Sequence, residues 1–561
     1  MVQETFMETR AITAIALSML VLFGFQYFFV ETQPVDTGNA TNTTIASEAE
    51  SVPGSKNEAG SDSLSLPAAT NTLPATIAVS DIVRADGNAR DIVIETDLYH
   101  AVISEHGGAF KTFKLKKYRD SLKKDAEYVD LVKVTPPALP GVMAITGQNG
   151  MIDLSGALFK ADREGVNLQD KGPDGRETLH LTASLNSGGS ITKTLVIKNG
   201  TYWMDFSVQA HGFLPSNASF ILYDKPFNDV SRYIFSGPSY MSNGNLEEVT
   251  LKEPGESSSF TGPVDWMSYG DNYFMNAVIP LESRDAWQLD FRQLDTSGLV
   301  ESRLTTFKPV TGKNIMDAGL YFGPKEIDRL NGLGHNLAGV INFGWFDIIA
   351  KPVLYLLKFI YKYIGNYGIA IILVTVSIKL LFWPLAQKSA RSMKIMQKLQ
   401  PKMKKLKDKY GDDKEKLNKE MMQLYRTYNV NPMSGCMPML IQIPVFFALY
   451  KVLLQSIELR HAPFMLWIND LSAPDRLMIP GVDIPYLDGI PVLTLLMGVS
   501  MYLQQKLSPS SLDPAQAKMM QFLPIIFTFM FLSFPSGLVL YWFVNNILSI
   551  AQQYYVNKYT D

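Results

Sequence analysis

Five apolar stretches crowd the last third of this chain, and few folds can absorb so many. They run roughly Tyr363–Leu385, Pro432–Leu454, Ile484–Leu503, Met519–Phe534 and Gly537–Val556. Each approaches the ~20 residues that carry a helix across a ~30 Å hydrocarbon layer. Inside lipid every backbone polar group must be satisfied within the segment, so such stretches are read as membrane helices. The third is the least regular, because Asp483 and Asp488 flank or enter it, and the last two are joined by the tight turn Phe534-Pro535-Ser536-Gly537. A further apolar run, Ala11–Val30, is interrupted mainly by Gln26 and meets Glu31-Thr32-Gln33-Pro34 directly. It exceeds the core of a secretory signal, and no cysteine follows it, so residues 1–30 read as a tail plus an uncleaved anchor, with a cleaved signal as the alternative. Six spans result.

Charge orients them. Between Gln387 and Tyr428 lie 13 Lys or Arg against five acids, a local +8 in a chain whose formal charge is −3. Basic loops stay on the cytoplasmic side, which places 387–430 and both termini there, including the short tail 557–561. The region between the first two spans and the loop 458–483 fall outside; that loop has only Arg460 and Arg476 as bases against Glu458, Asp470, Asp475 and Asp483.

The outer region divides by texture. Residues 31–75 are rich in Thr, Ser, Asn, Ala, Glu and Pro with no apolar period, so they read as a disordered tether. Residues 76–335 carry β-branched runs such as Asp91–Thr96 and Thr192–Ile197, punctuated by Gly107-Gly108, Asn186-Ser187-Gly188-Gly189 and Asn199-Gly200, which predict an all-β sandwich. Its aromatics (Tyr202, Trp203, Phe206, Trp266, Tyr273, Phe274) suit core packing or the lining of a ligand groove. In 336–362, Asp347, Lys351, Lys358 and Lys362 share one helical face while Phe346, Ile349, Val353, Leu356 and Ile360 fill the rest. The pattern predicts an amphipathic helix in the membrane interface, kinked at Pro352, or else a surface helix of the β domain.

The cytoplasmic segment 387–430 repeats Met393, Met396, Leu399, Met403, Leu406 and Tyr410 at three- and four-residue steps, breaks at Gly411-Asp412-Asp413, and resumes with Leu417, Met421, Leu424 and Tyr428. This predicts a coiled-coil hairpin, with Asp412 as N-cap and Glu415 as its reciprocal partner. A methionine seam adapts to many apolar partners or packs on itself. Lys379 is the sharpest residue in the chain, since it interrupts Ile371–Trp383 with no acid beside it. A charge there is costly unless it faces water or the bundle interior, or snorkels to the cytoplasmic surface past Pro384. Thr375, Ser377, Gln442, Gln455 and Asn545-Asn546 add polar groups to the spans, which together suggest a wet cavity with one positive charge. Nothing supports catalysis, a nucleotide or a metal. There is no nucleophile elbow, Walker loop or HExxH, the six histidines are scattered, and Cys436 is the sole cysteine. We therefore read no enzyme and no cofactor.

Longer segments carry a resemblance. Asn431-Pro432-Met433-Ser434-Gly435-Cys436-Met437-Pro438-Met439-Leu440-Ile441-Gln442-Ile443-Pro444-Val445-Phe446-Phe447-Ala448-Leu449-Tyr450 resembles the third-span signature of the YidC/Oxa/Alb insertase family, and Phe534–Trp542 resembles its last hairpin. Glu458-Leu459-Arg460, Ala462-Pro463-Phe464, Trp467-Ile468 and Asp470-Leu471-Ser472 are similar to the loop between, while Gly107-Gly108 and Asp271-Asn272-Tyr273-Phe274 suit the Gram-negative form.

That resemblance implies a multi-domain inner-membrane protein: a five-span core over 363–556 and a periplasmic β-supersandwich. It implies a groove open to the cytoplasm and to lipid, used to insert and help fold membrane proteins without nucleotide hydrolysis. Lys379 would be the groove cation that draws acidic client tails. Thr375, Gln442 and Asn546 would wet the groove, and Tyr541 would hold the emerging helix. Met393, Met396, Met403 and Met421 would receive clients. Partners implied are nascent membrane proteins, the lipid bilayer, the Sec translocon for larger clients, and the ribosome as a further candidate, with no specific nucleic acid. This sequence departs from the family pattern in carrying Lys379 rather than Arg, a short C-terminal tail, and Trp542 where a second Tyr is common. A transporter would instead require internal repeats and intramembrane acid–base pairs, and a passive scaffold would not require Lys379.

Overall fold

The computed structural model describes residues 82–85, 89–147, 150–186, 188–213, 215–227, 234–281, 287–306, 314–411, 413–428, 437–479, 481, 489–507 and 514–559. The expected anchor 11–30, the tether 31–75, Asp412, the signature start Asn431–Cys436 and the entry to the third apolar stretch at Ile484 lie outside these residues.

Among the described residues, twenty strands between Asp91 and Pro324 form three sheets of five, nine and six strands. Pairing is antiparallel except where Asp91–Glu95 meets Gly165–Asn167 in parallel. The strand Ser190–Lys198 alternates buried and half-buried positions, as a strand with one face in the core must. Trp266–Gly270 and Phe274–Pro280 are buried at every position, so the middle of the nine-stranded sheet is covered on both faces. The expected turns hold: Gly107, Gly108, Gly188 and Gly200 all adopt the left-handed backbone that glycine tolerates. Tyr202, Trp203, Phe206, Trp266 and Phe274 belong to the hydrophobic core, which is core packing rather than a ligand groove. Tyr273 is partly buried and packs against the same core beside Phe274.

Among the described residues eight α-helices follow: α1 (Ile327–Leu333), α2 (Asp347–Ile364), α3 (Tyr367–Tyr410), α4 (Lys414–Thr427), α5 (Met437–Gln455), α6 (Val492–Leu507), α7 (Pro514–Phe531) and α8 (Ser536–Tyr559). Helix α2 has three faces. Ala350, Val353, Leu354 and Leu357 are buried; Asp347 pairs with Lys351 at 2.6 Å, and Lys358 reaches Asp328 at 2.6 Å and Glu458 at 3.0 Å. Ile348, Tyr355, Phe359 and Tyr363 form an exposed apolar stripe. Pro352 lies inside the helix without ending it. Gly365, left-handed, closes α2, and Tyr361 stacks on Tyr367 across the turn at 3.7 Å.

The structure corrects one expectation and adds detail to two others. The span expected from Tyr363 and the first arm of the hairpin lie on one helix: α3 runs unbroken for 44 residues through Pro384 and Pro401, because the strong helix formers around each proline outweigh the one lost N–H. The cap of α4 is Asp413, whose side chain accepts from Lys416 N at 3.0 Å; the expected Asp412–Glu415 pair is one residue out of register. In the third apolar stretch the described helix is Val492–Leu507, and Pro491 stands directly before it, where proline disfavours helical backbone in the preceding residue.

Helix α8 packs against α3, α5 and α6, and α7 packs on α6. Gly498 makes the last approach possible, since a Cβ there would lie 2.1 Å from Thr528 Oγ1. Leu495, Leu496, Val499 and Leu503 of α6 and Phe522, Ile525, Ile526 and Phe529 of α7 are exposed, an apolar belt unlike any soluble surface. Among the described residues α3 is the helix long and apolar enough to cross a bilayer, with shorter apolar helices over Gln442–Gln455 and Gln521–Phe531.

Candidate functional site

A line of polar side chains runs through this apolar bundle. Helix α8 presents Tyr541, Asn545 and Ser549 at four-residue steps, hence on one face. Lys379 of α3 donates from Nζ to Ser549 Oγ at 2.8 Å, and that hydroxyl donates to Asn545 O at 2.7 Å. Gln442 of α5 donates to Asn545 Oδ1 at 2.9 Å and also engages the Tyr541 hydroxyl. Lys379, Gln442 and Tyr541 therefore meet around α8. No carboxylate pairs with Lys379 among the described residues, and it is only partly buried. The ammonium thus has one fixed acceptor for three N–H donors.

The other expected residues sit apart. Asn546 is buried and faces α6, donating to Ser500 Oγ at 3.0 Å. Thr375, one turn before Lys379, is buried and its hydroxyl bonds back to Ile371 O at 2.7 Å, so it bends toward its own helix rather than toward the polar line. Trp542 rests against Phe446 and Phe531 at ring distances of 5.1 and 5.7 Å, and its Nε1 is buried with no acceptor among the described residues. Thr494 Oγ1 and Gln552 Nε2 are likewise buried and unpartnered. Buried polar atoms are ordinarily satisfied, so this density of orphans marks the bundle as unusually polar inside.

In the hairpin of α3 and α4, Met396 and Leu399 are buried against Ile395, Met403 and Tyr425. Met393 and Met421 are half-buried, and Met422 is exposed. Part of the methionine seam closes on itself, and part stays open.

Sequence reasoning missed Asn545 as the hub, Ser549 as the lysine's acceptor and Ser500 as the partner of Asn546. The four-residue spacing of Tyr541, Asn545 and Ser549 was the available signal. It also missed Asp475, a carboxylate between α5 and α6 that proves buried.

Comparison with known proteins gives two family matches: residues 359–561 match the 60Kd inner membrane protein family and residues 91–356 the YidC periplasmic domain. A protein of Syntrophobacter fumaroxidans described as membrane protein insertase YidC is 40% identical over 580 residues, covering 99% of this chain and 100% of that one. A protein of Pelobacter propionicus with the same description is 39% identical, covering 98% and 99%. A crystal structure of active YidC insertase with its first transmembrane domain resolved is 18% identical, covering 87% of this chain and 96% of that chain with a TM-score of 0.37.

Proposed function

The chain belongs to the YidC family of inner-membrane insertases, and from that premise we propose that the Lys379 line is the floor of a hydrophilic groove through which clients enter the bilayer. Insertion moves a helix between phases and breaks no covalent bond, so the family is not one of enzymes. The reading rests on one observation: a half-buried ammonium, in the apolar part of a 44-residue helix, that hydrogen-bonds to a neutral serine and, among the described residues, to no acid.

The mechanism follows from that charge. A client with a short acidic tail must move carboxylates part-way across hydrocarbon, which is costly for any isolated ion. Lys379, with N–H donors to spare, offers a counter-charge at intermediate depth. Gln442 and Asn545 offer further hydrogen bonds, so the tail exchanges water for fixed polar groups rather than for lipid. The client's apolar helix meets Tyr541, Phe446 and Trp542, whose rings cluster beside the polar line. Burial of apolar surface then drives the helix into the surrounding lipid, and no nucleotide enters the scheme.

The same reading places six spans in the membrane, both termini and the hairpin in the cytoplasm, and the β domain in the periplasm. The stripe Ile348, Tyr355, Phe359 and Tyr363 suits an α2 lying in the interface, and the exposed belt on α6 and α7 suits contact with lipid. The open part of the methionine seam suits reception of apolar clients. Folding assistance, cooperation with the Sec translocon on larger clients and proximity to the ribosome belong to this proposal.

The test is protease protection of a single-span client with an acidic tail, presented without nucleotide to liposomes holding only this protein. Protection well above empty liposomes is expected. Its absence, with the protein folded and correctly oriented, rejects autonomous insertion.

A further inference from the structure

The connection between α5 and α6 carries a buried carboxylate that ties it to the start of α6. Its segment Asp470–Arg476 touches three helix ends. At the start of α8, Ser536 Oγ donates to Asp470 O at 2.7 Å, Ser536 N to Ala473 O at 2.7 Å and Gly537 N to Leu471 O at 2.9 Å. At the end of α7, Leu532 O accepts from Arg476 Nη2 at 2.9 Å. At the start of α6, Asp475 Oδ2 accepts from Leu493 N at 2.5 Å and from Thr494 N at 3.2 Å. The other oxygen of Asp475 accepts from the Trp467 indole at 2.6 Å, and the residue is 2% exposed.

Every partner of this carboxylate is a donor, and each oxygen is used. An acceptor-only group is required here, and aspartate supplies one in its ionised form. No cationic side chain forms an ion pair with it among the described residues; neutral N–H groups and the positive end of the α6 dipole hold it. The carboxylate thus ties the strap to the first turn of α6, while the residue after the strap, Leu477, exchanges backbone hydrogen bonds with Ile490 ahead of that helix at 2.8 and 2.9 Å. Behind it lie Leu493 and Met497, buried on the inner side of α6, and about 10 Å further along the helix comes Ser500, the partner of Asn546.

We propose that Asp475 is a positioning residue: the latch that keeps the extracytoplasmic end of the groove closed by fastening the 470–476 strap across the ends of α6, α7 and α8. The inference rests on the insertase reading and deepens it. A groove that draws polar tails half-way across a bilayer must not conduct water and ions the rest of the way, and the strap is the layer that stands there. It touches neither Lys379 nor Gln442, so it governs access and not client binding.

The isosteric change Asp475→Asn separates charge from volume. Whichever way the amide is turned, its NH2 faces either the Trp467 N–H or the two N–H groups of α6, a donor against a donor. A cysteine at Met497, in the Cys436→Ala background, reports access when the full chain in proteoliposomes meets a membrane-impermeant maleimide from the extracytoplasmic side. With charge-assisted bonds lost, we expect labelling to quicken at least about tenfold in Asp475→Asn. Trp467→Phe, which removes one donor and keeps the carboxylate, should quicken it by a smaller factor and serves if the amide variant does not fold. Leu453→Ala, a buried cavity in α5, controls for general loosening. Unchanged labelling in both latch variants overturns the latch, as does an equal rise in Leu453→Ala. Client protection is read on the same vesicles: a parent that does not insert, yet labels in an Asp475-dependent way, refutes the insertase reading and leaves the latch standing.

Discussion

Lys193 should make the β domain more stable in mild alkali. It occupies an inward position of the strand Ser190–Lys198, is fully buried, and donates to Gly107 O, Gly108 O and Gly141 O at 2.7, 3.1 and 2.9 Å, with Phe159 4.4 Å beneath the ammonium. Burial pushes its pKa down to about 7. In the unfolded chain a lysine titrates near 10.4. Between those values the unfolded state binds more protons than the folded one, so stability rises with pH by roughly 1.4 kcal/mol per unit. Below about pH 7 both states are protonated and the contribution is flat. From pH 7.5 to 9.5 the gain is about 2–3 kcal/mol. Other groups titrate in that window, so the comparison is with Lys193→Met. The variant relieves the buried charge but orphans three carbonyls at about 1–3 kcal/mol each. Its absolute stability near neutrality is therefore a contest of similar magnitudes, whereas its slope is not: the alkaline gain should vanish. Hydrogen exchange of the Ser190–Lys198 amides, measured in the full chain in nanodiscs across urea and pH, reads both quantities. Equal slopes in parent and variant would refute the reasoning, and would mean that the three carbonyls and the Phe159 face replace water for the ammonium in full.

Three further outcomes are expected. Lys379→Arg should keep insertion while Lys379→Gln slows clients with acidic tails by roughly tenfold, the worth of one charge-assisted hydrogen bond; equal rates on such clients in vesicles reject an electrostatic role. Gly498→Val should separate α6 from α7, since even the first added carbon meets Thr528 Oγ1 at 2.1 Å, lowering stability by about 1–3 kcal/mol in thermal unfolding in detergent. Asp413→Ala should cost α4 about 1 kcal/mol as a lost N-cap, visible as faster proteolysis of the hairpin with client insertion into vesicles otherwise retained.

The helical core was legible because apolar length is a coarse and robust signal, and Lys379 was legible because charge within such a length is rare. The β region was legible from glycine turns and β-branched runs, one of which, Thr192–Ile197, lies inside the strand Ser190–Lys198. Lys193, within that same run, shows the limit. Nothing in its neighbours announces that three glycine carbonyls from distant turns converge on it. Asp475 was hidden for the same reason, because its partners are backbone N–H groups 18 and 19 residues away. The cap of α4 was missed by one residue, as two adjacent aspartates offer equal capping chemistry and only backbone geometry chooses between them. The continuity of α3 was not legible, because the apolar span and the basic hairpin differ in composition while the helix crosses both.

That continuity has a mechanical consequence. Forty-four residues at about 1.5 Å each make a rod of roughly 66 Å, more than twice the thickness of a bilayer's hydrocarbon. Its first residues are pinned, for Asn366 both caps the helix and donates to Phe464 O at 2.9 Å. Lys379 lies about 18 Å from that fulcrum and the hairpin tip more than three times as far. A sideways push of about 5 Å at the tip therefore reaches the ammonium as a shift of about 1.4 Å, comparable to the slack in one hydrogen bond. Pro384 and Pro401 are the two points where the rod can yield and absorb that motion. Stiffening either by substitution with alanine would lengthen the lever without touching the cargo it moves.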